Sequence, residues 1–191
     1  MKIYILNNNT ELGENSTLES YKVNKKNLAG LILTIKVIVA LLYAFGLGYS
    51  LFFFGEDYIK VGLRFLCLLI LAYIFIDFPL SFLKALLLPK TFDKDKIILS
   101  LNPYNLSIDI CSNIKISKMS VILSFILPFI FLSIIPTVLS YKLEFNIYLY
   151  VLGTVSAIIG TKDLIYSLLI LKNYSLGSTI KLTPDEFIFY N

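Results

Sequence analysis

The chain has 191 residues, of which 57% are hydrophobic and only 16% charged, with a mean hydropathy of +0.78. Soluble domains hold about 45–50% apolar and about 25% charged residues, so this composition excludes a single soluble core and calls for several bilayer-spanning helices. A net charge of +4 with no histidine excludes histidine-ligated metal chemistry, and it gives no nucleic-acid signal, because the lysines stand between apolar runs rather than on one basic face.

In chain order, residues 1–27 form a polar segment with acids and amides throughout, unlike a cleavable signal peptide. The first apolar run, 28–54, is interrupted only by Lys36. The second, 63–88, carries Asp77, Pro79 and Lys84. Residues 89–120 make a polar connection that holds two β-prone runs, 97–101 and 106–110, around the turn signal Asn102-Pro103-Tyr104-Asn105. A third run, 121–139, contains Pro128 and Pro136, which are expected to bend it. The fourth, 147–171, contains Lys162 and Asp163. The tail, 172–191, repeats the hairpin pattern, with 179–182 and 187–190 on either side of Thr183-Pro184-Asp185-Glu186. Each apolar run meets the roughly 17–25 residues that cross about 30 Å of hydrocarbon, given some tilt. The expected fold is an all-α membrane protein: four transmembrane helices, a β-prone cytoplasmic loop and a short strand-like C-terminal tail.

Lysine placement sets the expected orientation. Lys2, Lys22, Lys25 and Lys26 lie in the N-terminal segment, Lys90, Lys94, Lys96, Lys115 and Lys118 in the second connection, and Lys172 and Lys181 in the tail. The other two connections have only Lys60, Arg64 and Lys142. Eleven against three places both termini and the second connection in the cytoplasm, in a multipass protein of the cell membrane.

Ionisable groups inside spans are costly and mark sites or helix pairs. Lys36 and Lys84 lie close enough to a helix end for their stems to reach headgroups. Asp77, Lys162 and Asp163 lie deeper. Asp77 is 14 residues from Leu63 and Lys162 is 15 from Ile147, about 21–23 Å at 1.5 Å per residue, so the two are expected to meet as an ion pair. Cys67 sits in an apolar run and Cys111 in a polar connection, and neither belongs to a disulfide framework or a metal motif.

Several short motifs occur in a recognisable order: Phe78-Pro79, then Ala85-Leu86-Leu87-Leu88-Pro89-Lys90, Leu127-Pro128-Phe129-Ile130 with Ile135-Pro136, and Gly160-Thr161-Lys162-Asp163-Leu164. In these, residues 63–190 resemble the bacterial membrane proteins of unknown function grouped as zincin-type peptidases, which are similar to site-2-type intramembrane metalloproteases. Catalytic members carry His-Glu-x-x-His before Ala-Leu, two imidazoles on one helix face that bind zinc and a glutamate that acts on its water. Anchored on Ala85-Leu86, the matching pentapeptide is Leu80-Ser81-Phe82-Leu83-Lys84, so all three functional positions are replaced. A register shifted by one residue puts Ser81 and Phe82 at the His-Glu positions. The likeness assigns Asp163 the place of a third metal ligand.

One aspartate and a distant thiol cannot supply the three protein ligands of a catalytic zinc. The resemblance therefore implies the scaffold without the activity: no catalytic residues, no metal, no cofactor, and Asp77, Lys84, Lys162 and Asp163 as a vestigial site or as intramembrane ion pairs. The partners expected are the lipid bilayer and a membrane protein or peptide. Two other readings are a transporter-accessory or bacteriocin-immunity type of protein, and an enzyme using Asp77 and Asp163. The last lacks the Gly-x-Gly-Asp pattern of aspartyl intramembrane proteases.

Overall fold

A computed structural model describes residues 2–5, 20–54, 58–89, 97–102, 107–173, 178–183 and 186–190. Among the described residues, four helical stretches are long and apolar enough to cross a membrane. Helix α1 covers Ala29–Phe54 and α2 covers Tyr58–Leu87. The third stretch is composite: α3 (Lys118–Phe129), a π-helical turn (Ile130–Ile134) and α4 (Ile135–Lys142). Helix α5 covers Ile147–Asn173. The second stretch starts five residues before the expected Leu63, because Tyr58, Ile59 and Val61 extend the helix around Lys60 and Gly62.

Among the described residues seven short strands accompany the helices: β1 (Lys2–Ile5), β2 (Ser20–Asn24), β3 (Ile97–Asn102), β4 (Ser107–Ser112), β5 (Ile116–Ser117), β6 (Thr179–Leu182) and β7 (Glu186–Tyr190). The two expected hairpins form. Antiparallel β3 and β4 pair Ile97 with Ser112 and Leu99 with Ile110, and β6 pairs with β7. Their turn residues 103–106 and 184–185 lie outside the described residues, as do Lys90, Lys94 and Lys96.

The N-terminal segment, read in the sequence only as polar, supplies two strands. β1 lies parallel to β3, with Lys2 opposite Ile98, and β2 lies antiparallel to β7, with Ser20 opposite Tyr190. The sheets thus run β1-β3-β4 and β2-β7-β6-β5.

The chain divides into two compact units. The first holds residues 1–29, 81–124 and 167–191, and so all seven strands. Its buried side chains include Ile97 and Leu99 on β3 and Ile110 and Cys111 on β4. On the second sheet Ile116, Ile180, Leu182, Phe187 and Phe189 are buried. Cys111, expected in a polar connection, is therefore a buried strand residue. Ser112 links the two sheets: its Oγ donates to the Ile114 carbonyl (2.9 Å) and accepts from the Leu182 N–H (3.0 Å). At the last hairpin the Thr183 hydroxyl donates to the Glu186 carbonyl (2.7 Å) while accepting from the Glu186 N–H (3.1 Å), which closes the turn.

The second unit holds residues 30–80 and 125–166. Its core gathers Phe65, Ile76 and Leu80 of α2 with Ile147, Tyr150, Val151, Val155 and Ile159 of α5 and Phe145 before it. Tyr150 is the centre of an aromatic nest, with ring centroids of Phe145 at 5.2 Å, Tyr43 at 5.6 Å, Tyr141 at 5.9 Å and Phe65 at 6.1 Å. Its hydroxyl donates to the Tyr43 carbonyl (2.6 Å), and the Tyr43 hydroxyl lies 3.0 Å from Thr137 Oγ1 and 3.3 Å from Ser133 Oγ. Such polar links hold apolar helices together where lipid gives no hydrophobic drive for association.

Pro136 explains the π-helical turn. It has no N–H to give to the Leu132 carbonyl four residues back, and its ring crowds that carbonyl, while Ile135 before it keeps helical backbone (φ −60°, ψ −51°). The ladder widens there, and the Ile135 N–H reaches back five residues to the Ile130 carbonyl. Between α4 and α5 the chain turns through two non-glycine residues of positive φ, Glu144 (51°) and Phe145 (60°). Left-handed backbone costs about 1–2 kcal/mol at such residues. Burial of the Phe145 ring beside Tyr150 and capping of α5 by Asn146 offset it, since Asn146 Oδ1 accepts from the N–H groups of Tyr148 (3.1 Å) and Leu149 (3.2 Å).

Exposure divides the helices. The most apolar stretch of α1 has no buried residues, whereas 61% of that of α5 is buried. On α1, Phe45 and Phe52 are each 77% exposed, and on α2 Ile59 is 75% exposed. Apolar surfaces this continuous are unstable in water and suit hydrocarbon.

Candidate functional site

Asp77 lies on α2 and Lys162 and Asp163 on α5, all within the second unit. Asp77 and Asp163 are buried, with exposures of 9% and 3%, and Lys162 is half-buried. The unit's core shows how α2 and α5 are registered. Phe65 meets Tyr150, and both belong to the one buried cluster that also holds Ile76, Leu80, Val155 and Ile159. Both helices leave this unit at their C-terminal ends, after Leu80 and after Tyr166, and so run in the same direction. Asp77 and Lys162 each stand twelve residues beyond the ring contact, 65 to 77 and 150 to 162, roughly 18 Å along either axis.

This register replaces the reckoning from helix starts. With α2 beginning at Tyr58, counting from the first residue would set Asp77 about one turn beyond Lys162. Counted from the packed rings instead, the two stand equally far along their helices, with Asp163 one residue further on. Asp77, Lys84, Lys162 and Asp163 all interact with neighbouring groups. A carboxylate buried to this degree needs such partners, because the desolvation of an ion costs several kcal/mol.

Lys84 belongs to the first unit and is 3% exposed. In the pentapeptide 80–84, Leu80 (1%), Ser81 (0%) and Lys84 (3%) are buried, whereas Phe82 is 37% exposed. Ser81 has a task of its own: its hydroxyl donates to the Ile108 carbonyl (3.1 Å) and fastens strand β4 to the end of α2. Among the described residues no three Cys, Asp or Glu side chains gather in metal-binding geometry. Cys67 is exposed, and Cys111 lies in the other unit.

One buried cation was not expected as such. Lys118, counted with the second connection, is the first residue of α3 and only 1% exposed. Its Nζ donates to the Leu171 carbonyl (3.3 Å), among the last carbonyls of α5 that have no partner within that helix. The clue lies in Ser117-Lys118-Met119-Ser120: Ser117 Oγ accepts from the Ser120 N–H (3.4 Å), a helix cap that places Lys118 inside the helix rather than in the connection.

Compared with known proteins, the chain matches no protein-family model, no curated protein and no solved structure.

Proposed function

We propose that this chain is an integral membrane protein with four spans and cytoplasmic termini. On this reading it acts by binding a membrane protein or peptide, on a scaffold of the zincin-type membrane peptidases that has lost its catalytic groups. Strand pairing supports the topology. Two apolar stretches separate β1 from β3, two separate β5 from β6 and four separate β2 from β7. An even number of crossings returns the chain to the side it left, which backbone pairing demands, and the lysine distribution makes that side cytoplasmic.

The observation that carries the non-catalytic reading is the buried face of α2. Where a metallopeptidase presents two imidazoles and a carboxylate, this chain buries Leu80, Ser81 and Lys84. An apolar branch, a hydroxyl already bonded to Ile108 and an ammonium leave neither a zinc site nor a base for its water. The family assignment rests on the order of short motifs, and the partner class on the loss of those groups.

Metal analysis tests this reading. Protein purified in detergent is expected to carry no stoichiometric zinc, and added zinc should leave its melting temperature unchanged, because ligand-linked stabilisation needs a native site. Stoichiometric zinc that disappears in Asp163→Ala would overturn it.

A further inference from the structure

The hydroxyl groups between α1 and the π-helical turn have a proton order that their geometry fixes. Thr137 gives its proton to the Ser133 carbonyl (2.7 Å). Its Oγ1 therefore accepts from the Tyr43 hydroxyl (3.0 Å), and the Tyr43 oxygen in turn accepts from the Ser133 hydroxyl (3.3 Å). The result is a closed ring that starts and ends on Ser133. All three protons are spent within it, while each of its four oxygens keeps at least one lone pair. Pro136 withholds a further N–H from the same turn. The ring is rich in acceptors and offers no donor.

A fifth oxygen faces this region from α5. Gly153 lies against Ser133 and Thr137, and Gly160 against the Phe129 ring. Ser156, three residues after the first glycine and four before the second, shares their face of α5 and so stands opposite the π-helical turn. It is fully buried, and its Oγ makes no hydrogen bond. Thr154 and Thr161 on the same helix turn their hydroxyls back to carbonyls four residues earlier, at 2.7 and 2.8 Å. Ser156 makes no such bond, which leaves its oxygen for the neighbouring helix.

We infer that the carbonyl and Oγ of Ser133, Thr137 Oγ1, Tyr43 Oη and Ser156 Oγ form a binding site for a sodium ion. Carbonyl and hydroxyl oxygens replace the hydration shell of an ion at irregular points of membrane helices. Ring oxygens 2.7, 3.0 and 3.3 Å apart suit an ion held at roughly 2.3–2.6 Å, the distance of calcium, whose radius sodium nearly shares. Neutral donors favour a single charge, because tight divalent sites need carboxylates. Oxygens on opposite sides of such an ion stand about 5 Å apart, beyond hydrogen-bond reach, in keeping with the lack of a direct bond to Ser156. The site is independent of the zincin-type scaffold proposed above.

Thermal unfolding of the full chain in detergent tests it, with choline chloride replacing sodium chloride at constant ionic strength. The melting temperature should rise with sodium, as it does for a ligand that binds only the native state. Potassium, too large for oxygens this close, should raise it less, and choline not at all. Ser156→Ala and Tyr43→Phe, each short of one oxygen, should lose the rise. Thr137→Ser keeps its oxygen and should keep the rise, as should Ser50→Ala, whose hydroxyl bonds the Gly46 carbonyl outside the ring. Equal melting temperatures in sodium and choline, or a sodium-dependent rise that survives both Ser156→Ala and Tyr43→Phe, would overturn the proposal. Equilibrium binding of radioactive sodium to the unmodified protein needs no variant: one ion per chain is expected, and none would overturn it.

Discussion

Asp77→Ala and Lys162→Ala should each destabilise the helical unit, by up to about 3–5 kcal/mol, while the double variant recovers much of the loss. The expectation follows from the register of α2 and α5, which sets these residues level, twelve positions beyond the Phe65–Tyr150 contact. Removing one partner of a buried ion pair strands the other charge in a medium of low dielectric. Removing both leaves only a small packing defect. In a bilayer the loss is smaller than in a soluble core, because separated helices find other polar partners. Asp163 lies one residue beyond Lys162 and is the more deeply buried acid, so Asp163→Ala combined with Lys162→Ala is the natural comparison. Unfolding in graded detergent denaturant reads all of these variants. Additive losses for Asp77 and Lys162 would show that the two charges are not coupled, and the register argument would fail with them.

Gly153 is expected to be the least replaceable glycine among the described residues. A Cβ there would fall on Thr137 Oγ1 and would also meet the Ser133 carbonyl oxygen at 3.0 Å and the Thr137 nitrogen at 3.2 Å. Thr137 cannot simply turn aside, because Oγ1 donates to the Ser133 carbonyl (2.7 Å) and bonds the Tyr43 hydroxyl (3.0 Å). Main-chain atoms of the π-helical turn complete the obstruction. Gly153→Ala should therefore cost about 1–3 kcal/mol, as overpacking does, and Gly153→Val more. Gly48 supplies the contrast, since nothing lies within 4 Å of its Cβ position. Gly48→Ala should be neutral or stabilising by up to about 1 kcal/mol, through helix propensity alone. A harmless Gly153→Ala in the same unfolding assay would mean that α5 does not approach the π-helical turn so closely.

What could be read in the sequence follows from the range over which each signal acts. The four apolar stretches are local features of composition, and the expected and observed spans differ by a few residues at their ends. The hairpins at 97–112 and 179–190 were legible too, because turn and strands are contiguous in the chain. Strands β1 and β2 were not. Lys2–Ile5 and Ser20–Asn24 are short, lie in a polar context and become strands only by pairing with segments far along the chain. The hint was the β-prone Ile3-Tyr4-Ile5 and Tyr21-Lys22-Val23. At the candidate site, burial of Asp77 and Asp163 was legible from their depth within apolar runs. The Tyr43–Tyr150 nest and the role of Lys118 were not, because both depend on which helix face meets which neighbour. The two prolines foretold an irregular third helix, but their spacing does not distinguish a kink from the widened turn at Ile130–Ile134.

The account depends most on all three strand-bearing segments lying on one side of four crossings. Reporter fusions after Ser140, in the connection between the third stretch and α5, and after Asn191 measure this directly. The account predicts an external reporter at Ser140 and a cytoplasmic one at Asn191. A reporter at Asn191 on the external side would contradict it, and would mean that one of the four apolar stretches, foremost the one broken at Ile130–Ile134, does not cross the membrane.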